Sequence, residues 1–374
     1  MDGSGCVRWL VLVAFLAFAS KVGAHEIEAS VIDVATADGR VTLTLETNLE
    51  ARLAGIGAEH DDTSQAPGAA RYDALRRETP SVLAARVSPD FAAAISVQTP
   101  EGPVPLSIQD VVVPDAPDTD LSRNSTVTMS GALPPGTRTL SVAMSERFGD
   151  LIVRGTGANA DYSEYLQPGQ RSADIAVTGA TTRTFADVFG QYLWVGFEHI
   201  VPLGLDHILF VIGLFLLDPR WRPLLWQVSA FTLAHTATLA LAALDVVRVP
   251  ASVVEPLIAL SIVYVAVENV VAGGWRPWRP ALVFAFGLLH GLGFASVFEA
   301  YGIPQGQFVA ALLAFNIGVE IGQLAVLGAC FLAVGWFAGR SWYRPVVTVP
   351  VSVAIAAIGA WWAAERTGLL STLI

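Results

Sequence analysis

The chain has 374 residues, 53% of them hydrophobic and 15% charged, with mean hydropathy +0.54, whereas soluble domains carry roughly 25% charged residues. A soluble fold of this length has no way to hide so much apolar surface, so part of the chain is expected in lipid. The net charge of -11 and pI near 5.0 exclude the basic face that a nucleic-acid partner needs.

Charge is divided unevenly along the chain. Residues 25–183 hold 22 acids and 12 bases, residues 184–374 only 10 and 8. An acidic polar half precedes a nearly neutral apolar half, which predicts at least two domains.

Residues 1–24 have the composition of a secretory signal: Arg8, an apolar run over 9–20, then Val22, Gly23 and Ala24 as a small-residue cleavage site. The run is too short to span a bilayer. Its removal makes His25 the new N-terminus, where α-amino group and imidazole offer a chelating pair, although an unconstrained N-terminus is the simpler reading. Cys6 leaves with it, and Cys330 is then the single cysteine. That excludes an intrachain disulfide, thiolate catalysis and cysteine-rich zinc sites.

From residue 25 to 183 the pattern is short and alternating. Residues 41–47, 125–130 and 139–145 have period two, the mark of half-buried strands. Turns are expected at Asp38-Gly39, Pro134-Pro135-Gly136 and Gln167-Pro168-Gly169, and helical or irregular structure over 71–94. The expectation is an exported all-β, sandwich-like domain. Its only histidines are His25 and His60, so no nucleophile–base pair is visible. His60, flanked by Glu59, Asp61 and Asp62, reads as part of a solvated loop.

Six apolar stretches follow, at roughly 193–217, 224–244, 252–271, 281–300, 308–334 and 346–363. Each is long enough to cross about 30 Å of hydrocarbon, which predicts a six-helix membrane domain over 184–374. The links at 218–222, 275–279 and 339–344 hold two arginines each, while the alternate links hold Arg248 and none. Positive residues stay cytoplasmic, so the first span is expected to run inward, leaving the β domain and the C-terminus outside the inner membrane.

Ionisable groups inside hydrocarbon cost at least about 2.5–3.5 kcal/mol each and mark functional sites. The first span carries Glu198, His199, Asp206 and His207; the second Thr232 and His235; the third Glu255 and Glu268; the fourth His290 and Glu299; the fifth Asn316, Glu320 and Gln323. The sixth has none and reads as scaffold. Asp206 and His207 lie about ten residues, or ~15 Å, from the inner end of their span. His235, His290 and Glu320 are also central in theirs. Asp206, His207, His235, His290 and Glu320 are therefore expected at one midplane level, with His199 on the outer approach.

Asn316, Glu320 and Gln323 share a helix face at i, i+4 and i+7. Glu255 and Glu268 sit near opposite ends of their span, as gates on a path would. Gly287 with Gly291, and Gly318 with Gly322, are spaced for close helix contact. Pro202, Gly204 and Pro256 suggest broken helices of the kind that line transporter sites.

Imidazole with carboxylate suits Ni²⁺, Co²⁺, Zn²⁺ or Fe²⁺. Copper(I) prefers sulfur, yet Met1, Met129 and Met144 all lie outside the six spans.

The block from Gly196 through Glu198, His199, Asp206 and His207 to Phe210 resembles the first-span signature of the HupE/UreJ family, the hydrogenase- and urease-associated nickel permeases with some cobalt-linked members. Blocks at 230–236, 254–261, 286–295 and 315–323 are similar to the later motifs of its second branch, which carries a long extracytoplasmic N-terminal region. The nickel-permease motif places five residues between its histidine and Asp-His; here six separate His199 from Asp206. The resemblance implies a membrane permease with nickel or cobalt as substrate, zinc as a further candidate, and metalloenzyme-maturation proteins as partners.

Taken together, the residues predict a secondary permease for a divalent transition metal, not an enzyme. No P-loop motif is present, so an ion gradient or downhill flow is expected to drive it. One alternative is a metal-dependent intramembrane hydrolase with Glu320 as general base. Another is a binding or assembly protein whose membrane half only anchors the β domain.

Overall fold

The computed structural model describes residues 29–56, 66–115, 123–160, 162–179, 181, 184–271, 276–294 and 307–367. The signal segment 1–24, His25, His60 and Glu299 lie outside the described residues. Two compact units divide between Thr184 and Phe185.

The first unit is β-rich. A six-stranded sheet has the order β5 (Ser107–Val112), β6 (Ser125–Ala132), β2 (Arg40–Thr47), β1 (Ser30–Ala37), β8 (Leu151–Gly155), β9 (Ser163–Leu166). A four-stranded sheet has the order β10 (Ile175–Ala176), β7 (Thr139–Met144), β3 (Ile95–Thr99), β4 (Gly102–Val104). Inward residues of both sheets, among them Ile32, Leu43, Val127, Val97 and Val142, form one hydrophobic cluster, as in a sandwich.

The alternating runs form β2, β6 and β7. Asp38 and Gly39, at φ 51° and 69°, make the β1–β2 hairpin turn, the left-handed pair that matches strand twist. Short helices interrupt the strands: α1 (Leu49–Ala54), which the all-β reading did not include, and α2 (Ala69–Arg76), α3 (Pro80–Ala84) and α4 (Pro89–Ala92) in and around the stretch 71–94 where helical or irregular structure was expected. β1 and β8 pair in parallel, with Asp33 opposite Arg154. Arg154 Nε and Nη2 donate to the two Asp33 carboxylate oxygens at 2.7 and 2.9 Å, a fork that fixes the register.

The second unit is helical: α5 (Phe185–Ile200), α6 (Leu205–Leu217), α7 (Trp221–Ala243), α8 (Ala251–Val271), α9 (Arg279–Gly293), α10 (Phe308–Val334) and α11 (Val349–Arg366), the last preceded by a π-helical turn at Arg344–Thr348. Four segments, Trp221–Ala243, Ala251–Val271, Phe308–Phe337 and Arg344–Arg366, are long and apolar enough to cross a membrane. The pair α5 and α6 makes a fifth if counted as one span, although it is bent by 68°. At 15 residues, α9 reaches only about 22 Å. The described residues therefore give four to five candidate spans rather than six.

Sequence punctuation explains the bend in one place and fails in another. Pro202 has no N–H to continue α5, and a Cβ on Gly204 would sit 2.1 Å from His199 O, so the turn needs a glycine. Pro256, by contrast, lies inside an unbroken α8. It falls in the second turn, where little of the hydrogen-bond ladder precedes it.

Glycines set the helix spacing. A Cβ on Gly196 of α5 would meet Phe315 O of α10 at 1.9 Å, and one on Gly318 of α10 would meet Leu193 O at 2.1 Å. Gly287 and Gly291 of α9 press likewise on Phe231 O and His235 O of α7, at 2.5 and 2.4 Å. Both small-residue pairs read from the sequence are thus points of close approach. Gly196→Ala is expected to cost about 3 kcal/mol and to lower Tm in detergent by ~6–12 °C. Gly190→Ala, on the same helix with nothing within 4 Å of its Cβ, is the control and should melt at or above wild type.

Candidate metal centre

The bend between α5 and α6 creates the centre. It brings His199, in the last turn of α5, against His207, in the first turn of α6, with ring centroids 4.8 Å apart. His235 from α7 approaches both rings at 5.9 Å, and His290 from α9 approaches His207 at 4.7 Å. Asp206 also lies in the first turn of α6, where the helix dipole favours a carboxylate. His207, His235 and His290 are buried, His199 and Asp206 half-buried. Phe210, Phe231 and Phe315, all buried, wall the imidazoles with ring centroids 5.0–6.3 Å away, Phe231 at 5.0 Å from His290 and Phe315 at 5.5 Å from His199.

Hydrogen bonds fix one nitrogen of three of these rings. His207 Nδ1 donates to Asp206 Oδ1 at 2.9 Å, and the same oxygen accepts the His207 backbone N–H at 2.7 Å. Asn316 Nδ2 donates to Leu312 O at 2.8 Å, which turns its Oδ1 toward His235 Nδ1 at 3.2 Å. Ser261 Oγ donates to Ile258 O at 2.7 Å, so it accepts from His290 Nε2 at 3.2 Å.

The opposite nitrogen of each ring, and one nitrogen of His199, are left over. Among the described residues, His199 Nε2, His207 Nε2, His235 Nε2 and His290 Nδ1 are buried with no hydrogen-bond partner. Buried polar atoms are rarely abandoned. A ring whose one N–H is held by an oxygen and whose other nitrogen is free has the arrangement of a metal-ligating histidine with its supporting partner. Two triads satisfy donor spacing among the described residues: His199, His207 and His235, and Asp206, His207 and His290, each with ligand atoms within 4.8 Å of one another.

The other residues singled out in the sequence stand elsewhere. Glu320, expected with the imidazoles, accepts from the exposed Ser229 Oγ of α7 at 2.7 Å, because its position along α10 fixes its depth but not the direction it faces. Thr232 Oγ1 donates to Gln323 Oε1 at 3.2 Å. With the His235–Asn316 pair, these contacts form a polar seam between α7 and α10. Glu198 is half-buried at the end of α5. Glu255 and Glu268 stand in ion pairs with Arg366 and Arg279, at 3.9 and 3.5 Å.

Sequence reading gave no role to Ser261 or to Asn269, which is buried and donates to Gly213 O at 2.8 Å and Ser352 Oγ at 3.2 Å. Both are polar residues within an apolar helix, and that was the available signal.

A helical unit with several membrane-length spans, and a cluster of imidazoles and a carboxylate among them, is that of a polytopic membrane protein. Residues 176–366 match the HupE / UreJ protein family. The match covers half of the chain, and the protein belongs to that family, which groups transporter-like, nickel- and cobalt-linked accessory membrane proteins rather than enzymes. No curated protein and no solved structure matches the chain.

Proposed function

We propose that the protein is a secondary permease for a divalent transition metal, nickel or cobalt foremost, in the inner membrane. The observation that carries this reading is the set of four buried imidazole nitrogens without a hydrogen-bond partner among the described residues, three of them on rings held by Asp206, Asn316 and Ser261. Neutral imidazoles and one carboxylate suit these borderline cations. In the proposed topology six spans cross the membrane, with α9 completing the fourth, and the β-rich unit and C-terminus lie outside. Its 22 acids against 12 bases over residues 25–183 would raise the local cation concentration.

The α7–α10 seam supports an inward route. With the start of α7 on the cytoplasmic side, Ser229 and Glu320 lie about 9 Å inward of His235. Glu320 on Ser229, apart from the imidazoles, does not favour the hydrolase reading, which needs a general base beside the metal.

The test is reconstitution of the full-length protein in vesicles, with ⁶³Ni²⁺ and Co²⁺ uptake measured against empty vesicles and bound metal analysed in the purified protein. Uptake of either cation supports the proposal; a tightly held zinc with no uptake overturns it. Asn316→Ala and Ser261→Ala, which free a ring from its supporting oxygen, are expected to weaken Co²⁺ binding about 10–100-fold each. Titration followed by Co²⁺ absorbance checks this. Unchanged affinity in both would mean that ring orientation does not depend on these partners.

A further inference from the structure

We infer that a groove on the exposed face of α8 holds one anionic phospholipid, with an acyl chain along the helix and the phosphate at Arg276. The inference goes beyond the permease reading and takes from it only the topology, in which the link between α8 and α9 faces the cytoplasm. The groove has a volume of about 470 Å³, within the ~300–1,000 Å³ usual for ligand clefts.

Its wall follows from the helix period. Leu260, Val263, Tyr264, Val267 and Val271 line it and recur at i, i+3, i+4, i+7 and i+11, one face of α8. Leu260, Tyr264, Val267 and Val271 are exposed. From Leu260 to Val271 the helix rises ~16 Å, close to the ~15 Å of hydrocarbon in one leaflet of a bilayer whose core is about 30 Å thick. An acyl chain therefore matches this wall in both length and chemistry. Tyr264 packs against Phe286 of α9 with ring centroids 5.7 Å apart, which ties the wall to the neighbouring helix.

The inner end supplies the charge. Arg276 and Trp278 of the α8–α9 link complete the lining, and both are exposed. Among the described residues the Arg276 guanidinium has no hydrogen-bond or ion-pair partner. Glu268 also lines the groove, but its carboxylate is 3.5 Å from Arg279 Nε, and the two charges offset each other. Asp218, whose field reaches Arg279, is engaged in the same way by Arg220. Arg344 Nη2 donates to Val270 O at 2.9 Å, which places a further cation at this end of α8 and offsets the negative end of its dipole. The balance is positive, and basic pockets between membrane helices on the cytoplasmic side bind anionic head groups. Phosphatidylcholine carries a quaternary ammonium beside its phosphate, and the one carboxylate lining the groove is already paired. An anionic head group brings no such cation. Trp278 is of the residue type that sits at head-group level.

Phosphatidylglycerol, phosphatidylcholine and inorganic phosphate are the probes, added to delipidated full-length protein in neutral detergent. Bound lipid is counted by native mass spectrometry. Phosphatidylglycerol with brominated acyl chains reports position by quenching Trp278 fluorescence, taken as the difference between wild type and Trp278→Phe. Wild type is expected to bind phosphatidylglycerol at least about fivefold tighter than phosphatidylcholine, with Trp278 quenched. Arg276→Gln should bind the two lipids alike. Val267→Trp, which fills the groove, should weaken both and protect Trp278. Both residues are exposed, so both variants should melt as wild type does in lipid-free detergent.

Equal affinity for the two lipids in wild type, an unchanged preference in Arg276→Gln, or full quenching in Val267→Trp would each overturn the inference. Inorganic phosphate that displaces phosphatidylglycerol at equal concentration would overturn it in favour of a free-anion site. A dimer separated by Arg276→Gln would overturn it in favour of a second copy on this face. Metal uptake is measured in none of these arms, so the permease reading stands whichever way they fall.

Discussion

His207→Gln is expected to reduce ⁶³Ni²⁺ and Co²⁺ uptake in vesicles to the background of empty vesicles. His207 belongs to both donor triads, so its loss leaves neither with three ligands. The effect should exceed the roughly 10–100-fold that follows removal of a ligand's supporting partner. Glutamine keeps similar length, and its amide can still donate to Asp206 Oδ1, the oxygen that now holds the ring, so the first turn of α6 is expected to persist. Glu320→Gln is the informative comparison. Glu320 bonds Ser229 and lies outside both triads, so this variant should keep its Co²⁺ affinity even if uptake slows. Wild-type uptake in His207→Gln would show that the cation crosses without this imidazole, and the proposed path would have to be abandoned.

Much of the β-rich unit was legible because alternation is local. Residues 41–47, 125–130 and 139–145 alternate over a few positions and fall on β2, β6 and β7. The parallel pairing of β1 with β8 was not legible, since it joins segments more than 100 residues apart and depends on a third dimension that periodicity does not carry. Helix lengths were legible within limits. Pro202 and Gly204 announced the bend that separates α5 from α6, but nothing in the composition distinguished them from Pro256, which α8 absorbs near its start.

Counting residues along a straight helix anticipated which imidazoles come together, but not where His199 and Glu320 stand relative to them. His207, His235 and His290 meet, as their positions along the spans suggest. His199 was expected on an outer approach because eight residues of straight helix to His207 amount to about 12 Å. The 68° bend folds that distance back, and the two rings stand 4.8 Å apart. Glu320 shows the opposite error: depth along α10 was read, but which neighbour it faces depends on the packing of α10 against α7. The supporting oxygens of Asn316 and Ser261 were illegible as partners, because a sequence gives no means of pairing residues 81 and 29 positions apart.

The second large effect concerns Glu268 and Arg279, which link α8 to the start of α9 far from the imidazoles. Arg279 read as one of the loop arginines that orient the chain, yet its side chain is 0% exposed and that of Glu268 9%, with Nε and Oε2 3.5 Å apart. Asp218, the other carboxylate whose field reaches Arg279, is already engaged by Arg220 Nε and Nη2 at 2.7 and 2.6 Å. Glu268→Gln therefore leaves a buried guanidinium without its counter-charge, and a guanidinium does not shed its proton to escape. The expected loss is about 3–5 kcal/mol of stability, read as a lower Tm in detergent. Arg279→Met should cost less, because a carboxyl group, unlike a guanidinium, has a neutral form open to it. Combining the two changes removes both charges and should recover most of the loss, since a buried ion pair replaced by groups of similar volume is often neutral or stabilising. A double variant that melts no higher than Glu268→Gln alone would show that the two residues act through separate contacts rather than through each other.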